Sequence, residues 1–321
     1  MISRRTFLKA SLAAVGFIHG ASDALARASR PSTAVDFDVP AGACDCHVHI
    51  FGDPQRFPFS PARTYTPESA SVGELRALHQ ALHINRVVVV QPSVYGTDNS
   101  CVLDALGQLG ARARGIAVID AATPESVLDE MKREGVRGIR LSLTQGGVTD
   151  PSAARRRVRA GIERIKGRDW HIQIFAPPTI VEAIHDQALA SPVPVVFDHF
   201  GGVIAARGLQ QPGFGALVNL VRAGKAYVKI SAAADLVSIQ APDYPDVAPF
   251  AKALVAANPQ RILWGTNWPH PNSANSRRRT DTSPLRQIDD GRVLNLLAEW
   301  VPDAPTRRTI LMENPARLYG F

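Results

Sequence analysis

From residue 43 onward the chain alternates short runs of β-branched and other apolar residues with amphipathic stretches of about ten to fifteen residues. That rhythm is the signature of βα units feeding a parallel sheet. Eight runs read as strands: Ala43 to His49, Arg86 to Gln91, Gly115 to Ile119, Val136 to Leu143, Trp170 to Phe175, Val193 to His199, Ala226 to Ser231 and Arg261 to Thr266. Between them lie helix candidates such as Val72 to Leu82, with Glu74, Leu75, Leu78 and Leu82 at helical spacing, and Asp246 to Ala257. Eight such units in about 280 residues predict an α/β fold, a single-domain TIM-like (β/α)8 barrel. Two doubly wound half-domains match the element count, but no Gly-rich phosphate fingerprint follows the first strand and no linker divides the chain. No residue-level repeat or low-complexity segment interrupts the pattern.

Composition narrows the class further. The 321 residues are 45% apolar and 20% charged, with 24 Gly and 24 Pro, which excludes a disordered, collagenous or disulfide-stapled chain. Cys44 and Cys46 lie two apart on one strand, an awkward geometry for a mutual disulfide, and Cys101 leaves the count odd. Free, mostly buried thiols are expected. Of the formal charge of +7, +2 comes from Arg4, Arg5 and Lys9 against Asp23. The rest is dispersed apart from Arg155 to Arg157 and Arg277 to Arg279, and no aromatics interleave those runs, so nucleic acid is not an expected partner. Weak steering of a small anion is the functional reading of that charge.

Residues 1–26 stand apart from the fold. Ser3-Arg4-Arg5-Thr6-Phe7-Leu8-Lys9, an apolar run from Ala10 to about Ile18 and Ala24-Leu25-Ala26 resemble a twin-arginine export signal with cleavage after Ala26. The run is too short to span a bilayer and no other stretch serves as a stable membrane anchor. The expected division is a signal peptide at 1–26, a linker at 27–42 and the barrel at 43–321. The twin-arginine translocase is the expected export partner and the periplasm the destination.

Chemistry in such a barrel belongs at the C-terminal ends of the strands, and polar residues gather there. In Cys44-Asp45-Cys46-His47-Val48-His49, simple alternation puts Asp45, His47 and His49 on the inner face, with Cys44, Cys46 and Val48 toward the helices. Gln91-Pro92-Ser93-Val94-Tyr95 follows the second strand, Arg140 lies in the fourth, Asp198-His199 closes the sixth, and Asn267-Trp268-Pro269-His270 follows the eighth. Each has a bland reading as an ion pair, a cap or a packing plug. Their convergence at one end of one barrel favours function.

Four segments carry a resemblance: Cys44 to Gly52, Val90 to Asn99, Phe197-Asp198-His199-Phe200-Gly201 and Trp264-Gly265-Thr266-Asn267-Trp268-Pro269-His270. Together they resemble the amidohydrolase superfamily, and within it the branch of 2-pyrone-4,6-dicarboxylate lactonase and galactarolactone isomerase. The likeness extends from Ala43 to Asn314-Pro315-Ala316. The resemblance implies a hydrolase that opens the ester of a small carboxylated lactone. Its catalytic residues would be His47, His49, His199 and Asn267, and its substrate-binding residues Arg140, Tyr65, Gln91, Ser93, Tyr95 and His270.

Departures from the family pattern shape this expectation. Metalloenzymes of the superfamily add a Lys and further His from middle strands. Here the fourth strand offers Arg140, the fifth ends in Phe175 and only His199 joins the pair, which argues against two metals. A single zinc would sit on His47, His49 and His199, but the lactonase branch works without metal, so no cofactor is expected. Asn267 replaces the Asp that activates water in hydrolytic relatives, as it does in the lactone isomerases. Gly146-Gly147 and Gly201-Gly202 stand where the lactonase pattern has extra arginines. That points to a substrate with one carboxylate and several hydroxyls. In the expected mechanism Arg140 grips the carboxylate, His47, His49 or Arg140 polarises the carbonyl, His199 acts as base and Asn267 orients the nucleophile. The alternatives are a lactone isomerase of the same branch, a mononuclear-metal hydrolase or decarboxylase, and a non-catalytic periplasmic binder of small acids.

Overall fold

A computed structural model describes residues 28–143, 150–272 and 278–321. The export signal, Gly146-Gly147 and Arg277 lie outside the described residues. Eight parallel strands run in sequence order: β1 (Cys44–Val48), β2 (Arg86–Val90), β3 (Ala113–Ala117), β4 (Val136–Ser142), β5 (His171–Phe175), β6 (Val195–Phe197), β7 (Ala226–Ser231) and β8 (Ile262–Gly265). The sheet is nearly closed. Just past the end of β8, Asn267 N donates to His47 O at 2.9 Å and His49 N donates to Trp268 O at 2.8 Å, bringing the last strand against the first. The expected TIM-like α/β barrel is therefore the observed architecture. Strand ends differ in detail: β3 starts and finishes two residues before its predicted bounds, and β6 stops before Asp198, which leaves the Asp198-His199 pair on a tight loop.

The helices form the outer layer. Helix α1 (Val72–Ala81) starts on a capping box in which Ser71 accepts from Glu74 N and Glu74 reaches back to Ser71 N. It buries Leu75, Leu78 and, on the same face, His79. Helices α2 (Ser100–Leu109), α3 (Glu125–Arg133), α4 (Pro151–Ile165), α5 (Pro178–Ala183), α6 (His185–Leu189), α7 (Phe214–Arg222), α8 (Ala248–Ala257) and α9 (Asp290–Trp300) follow, and all the long ones bury an apolar stripe. None is long and apolar enough to cross a membrane, among the described residues.

Two apolar clusters separate inside from outside. Val48, Val87 and Val89 pack with the helices, whereas Cys44, Cys46, Val88, Val90, Ile116, Val196 and Leu263 pack within the barrel, floored by Tyr319. All three thiols are free and buried, as expected. The segment foreseen as a linker is tied down where it is described. Ala28 and Ser29 are buried, the Trp268 indole donates to Ser29 O at 3.4 Å, and Ser32 and Thr33 bond through backbone and hydroxyl to Asp289, the N-cap of α9.

Candidate active site

The first strand departs from simple alternation. Its register with β2 slips between Asp45 and Val48, a bulge that inserts one extra residue. Cys44 and Cys46 consequently face the barrel interior. Asp45 turns outward, where it accepts from Thr266 Oγ1 at 2.6 Å and Thr266 N at 3.0 Å and lies 3.4 Å from His79 of α1. The expectation that both thiols face the helices and that Asp45 joins the imidazoles is corrected by this bulge. His47 and His49 still point inward, because the extra residue restores their phase. Gly265 of β8 makes room for it: a Cβ there would lie 2.8 Å from His47 N and 3.0 Å from His47 Cβ.

Above the apolar floor, polar side chains from five strands or strand ends converge. Asp198 sits at the centre. Its Oδ2 accepts from Arg140 Nε at 3.0 Å and Gln173 Nε2 at 3.1 Å, while Oδ1 lies 3.3 Å from His47 Nδ1 and 3.8 Å from the Lys229 ammonium. Lys229 Nζ donates to Gln173 Oε1 at 2.7 Å and approaches His47 Nδ1 to 3.4 Å. Asp198, His47, Gln173 and Lys229 are wholly shielded from solvent, so the Asp198 carboxylate and the Lys229 ammonium must compensate each other. Burial pulls the Lys229 ammonium down to about 8, opposed chiefly by Asp198. Burial also disfavours the Asp198 anion, but His47, Arg140 and Lys229 together hold its carboxyl well below the ordinary value.

The imidazoles are neutral for the same physical reason. Burial draws His47 well down, His49 to about 3 and His199 to about 4. His49 Nδ1 donates to Val90 O at 2.8 Å, which fixes its tautomer and leaves Nε2 as an acceptor. His199 Nδ1 meets Ser231 Oγ at 2.9 Å, and His47 Nε2 has no partner among the described residues. The His47 ring centroid lies 5.0 Å from that of His49 and 4.5 Å from that of His199.

A second polar cluster abuts the first. Asn267 Nδ2 donates to Asp235 Oδ2 at 2.8 Å, and His270 Nδ1 donates to the same oxygen at 3.2 Å. His270 Nε2 faces Asp290 at 3.0 and 3.2 Å. Burial alone would lower His270, but Asp290 and Asp235 raise it to about 10, so the ring is an imidazolium between two carboxylates. The loops that carry these groups are bent: His199, Phe200, Ala232, Asn267 and His270 all have positive φ without being glycine. Such residues cluster where surrounding structure over-determines the backbone, as at active sites.

The remaining anticipated residues fall into two groups. Tyr65 lies beside Arg140 and Ser93, and burial pushes its hydroxyl up to about 12, so it stays a donor. Gln91 and Tyr95 serve their own loop: Gln91 Nε2 donates to Gly96 O and Asp98 O, and Tyr95 Oη accepts from Gly52 N at 3.0 Å. Sequence reading missed Lys229, Gln173, Asp235 and Asp290. The signal for Lys229 was a lone charge inside the apolar run Ala226-Tyr227-Val228-Lys229-Ile230, where solvation is unavailable. A surface cleft of about 740 Å³ lies elsewhere, beside Asp104, Arg114 and Arg137. What marks the site is converging buried polarity.

For a metal, the donors of His47, Asp198 and His199 lie within 4.8 Å of one another. That set differs from the expected one in having Asp198 in place of His49, and the bare His47 Nε2 suits an ion. Bound there, a zinc ion would supply Lewis acidity to a carbonyl oxygen. Arg140 and Lys229 already compensate the same carboxylate.

The family model for amidohydrolases matches residues 44–321. The chain is 35% identical over 296 residues to a 4-sulfomuconolactone hydrolase of Rhizobium radiobacter, covering 90% of this chain and 93% of the relative. It is 33% identical to a 2-pyrone-4,6-dicarboxylate hydrolase of Comamonas testosteroni, covering 88% and 92%, and 31% identical to a D-galactarolactone isomerase of Agrobacterium fabrum, covering 89% and 94%. By the family match and by these relatives, the chain belongs to the amidohydrolase family, in the branch that holds lactone hydrolases and a lactone isomerase.

Proposed function

We propose that the protein opens the ring ester of a small lactone bearing one acid group, without a metal ion. The observation that carries this reading is the buried assembly of Arg140, Asp198, Lys229 and His47 beside the neutral imidazoles of His49 and His199. Arg140 and the protonated Tyr65 hydroxyl are the donors available to an ester carbonyl and its developing oxyanion. His47, His49 and His199 instead offer lone pairs, because burial keeps them neutral. The Arg140 and Lys229 cations supply the positive field that a metal would otherwise supply around Asp198.

The substrate is proposed to carry fewer acid groups than a pyrone dicarboxylate. Gly201 and Gly202 have φ of +69° and +76°, and a Cβ on them would lie 2.4 Å from Leu217 Cδ2 and 2.1 Å from Ala176 O. A side chain at Gly202 would run into the Ala176 backbone, and one at Gly201 would displace Leu217 and strain a left-handed φ, so neither position suits an arginine fork. The second reading is isomerisation, in which a substrate hydroxyl attacks instead of water; the amide at Asn267 favours it. Export to the periplasm is part of the proposal and rests on the residues from Ser3 to Ala26.

The test is to incubate the purified mature chain with sugar-acid, muconate-type and pyrone lactones in ¹⁸O-water, with and without prior dialysis against EDTA. The expected result is an opened acid carrying label at a rate that EDTA leaves unchanged. A rearranged, unlabelled lactone establishes isomerisation. Loss of rate restored by zinc overturns the metal-free reading, and an inert wild type across the panel overturns the lactone reading.

A further inference from the structure

The end of β8 presents an amide, Asn267, and a carboxylate stands directly against it. Asp235 comes from the short π-type turn Ala233–Val237 that follows β7, and its Oδ2 is fixed by Asn267 Nδ2 at 2.8 Å and His270 Nδ1 at 3.2 Å. Its Oδ1 is buried and has no partner among the described residues. Asp235 and His199 lie close enough that each influences the ionisation of the other. A buried carboxylate with one oxygen anchored and the other bare is an arrangement that leaves an unmet hydrogen-bond demand near His199.

Resting on the lactone reading above, we propose that Asp235 Oδ1 is the proton acceptor for the attacking oxygen, a task that the Asn267 amide cannot perform. Asn267 and His270 are then positioning residues: they hold Oδ2 so that Oδ1 faces the nucleophile. As the oxygen of water, or of a substrate hydroxyl, bonds to the lactone carbonyl carbon, its proton passes to Oδ1 and the carbonyl electron pair moves onto oxygen. When the tetrahedral centre collapses, the ring C–O bond breaks and the proton passes from Oδ1 to the departing ring oxygen. The carboxylate is regenerated and the step needs no co-reactant. The same acceptor serves both hydrolysis and isomerisation, because only the source of the hydroxyl differs.

The decisive variants are Asp235→Asn and the exchange pair Asp235→Asn with Asn267→Asp, assayed on whichever panel lactone the wild type turns over. Removing a general base costs about 10²- to 10⁴-fold. The expected result is a fall in kcat of at least about a hundredfold with KM within about threefold for Asp235→Asn. Retention of more than about a tenth of kcat overturns the assignment, as does a loss confined to KM or to thermal stability. If Asp235→Asn does not fold, the exchange pair decides, since it keeps one carboxylate and one amide in contact. A folded pair whose kcat falls at least about a hundredfold then supports the assignment, and turnover within about tenfold of wild type overturns it, because a carboxylate is then not needed at 235. An inert wild type overturns the lactone reading itself and is told apart because wild type and variants are then equally inactive.

Discussion

His270 shows how completely a buried side chain can be redefined by its neighbours. Alone in an apolar interior its ring would be neutral, like His47, His49 and His199, yet Asp290 and Asp235 hold it protonated up to about 10. Because its folded value lies above the unfolded value near 6.5, the folded state binds this proton more tightly than the unfolded chain. The stabilisation from the ion triad is fully present below about pH 6.5 and is lost as the pH rises through 10. The expected outcome is that the difference in Tm between wild type and His270→Asn is largest near pH 6 and shrinks steadily toward pH 10, followed by calorimetry in a pH series. The site at this scale was partly legible: His47, His49, His199, Arg140 and Asn267 announced themselves at strand ends. Asp235 did not, because it follows a plain Ala232-Ala233-Ala234 run and only the turn after β7 brings it against Asn267.

The bulge in β1 is the element on which the site turns. Strict alternation predicts two thiols on the outer face, and one inserted residue between Asp45 and Val48 reverses the first half of the strand while leaving the histidines inside. No periodicity argument could have found it, since a one-residue slip exchanges faces without altering composition. Its partner in β8 is legible only afterwards, as a glycine whose absent Cβ gives His47 its place. Gly265→Ala is expected to destabilise the fold by about 1–3 kcal/mol, the usual range for overpacking. It is also expected to lower kcat at least about tenfold, because the clash falls on the His47 backbone. Denaturant unfolding and steady-state kinetics on the same preparation check both, and an unchanged kcat would show that His47 tolerates displacement.

For the whole molecule, the barrel was readable from the rhythm of eight apolar runs, since parallel strands buried on both faces leave no other pattern. The proposed export signal at 1–26 would answer to a different physics, recognition by a translocase. Arg4→Lys with Arg5→Lys is expected to abolish export, measured by cell fractionation and intact mass: the wild type in the periplasm beginning at Arg27, the variant retained in the cytoplasm at full length. Wild-type protein recovered uncut from the cytoplasm would overturn that placement. The strap near the N-terminus adds a matter of chronology. Ser32 and Thr33 are among the first residues of the barrel domain to leave the ribosome, but their partner Asp289 is 257 and 256 residues further along. Contacts of such long sequence separation form late. The contact of Ser29 with Trp268 therefore waits until nearly the whole polypeptide has been made, so the strap and the end of β8 are completed together.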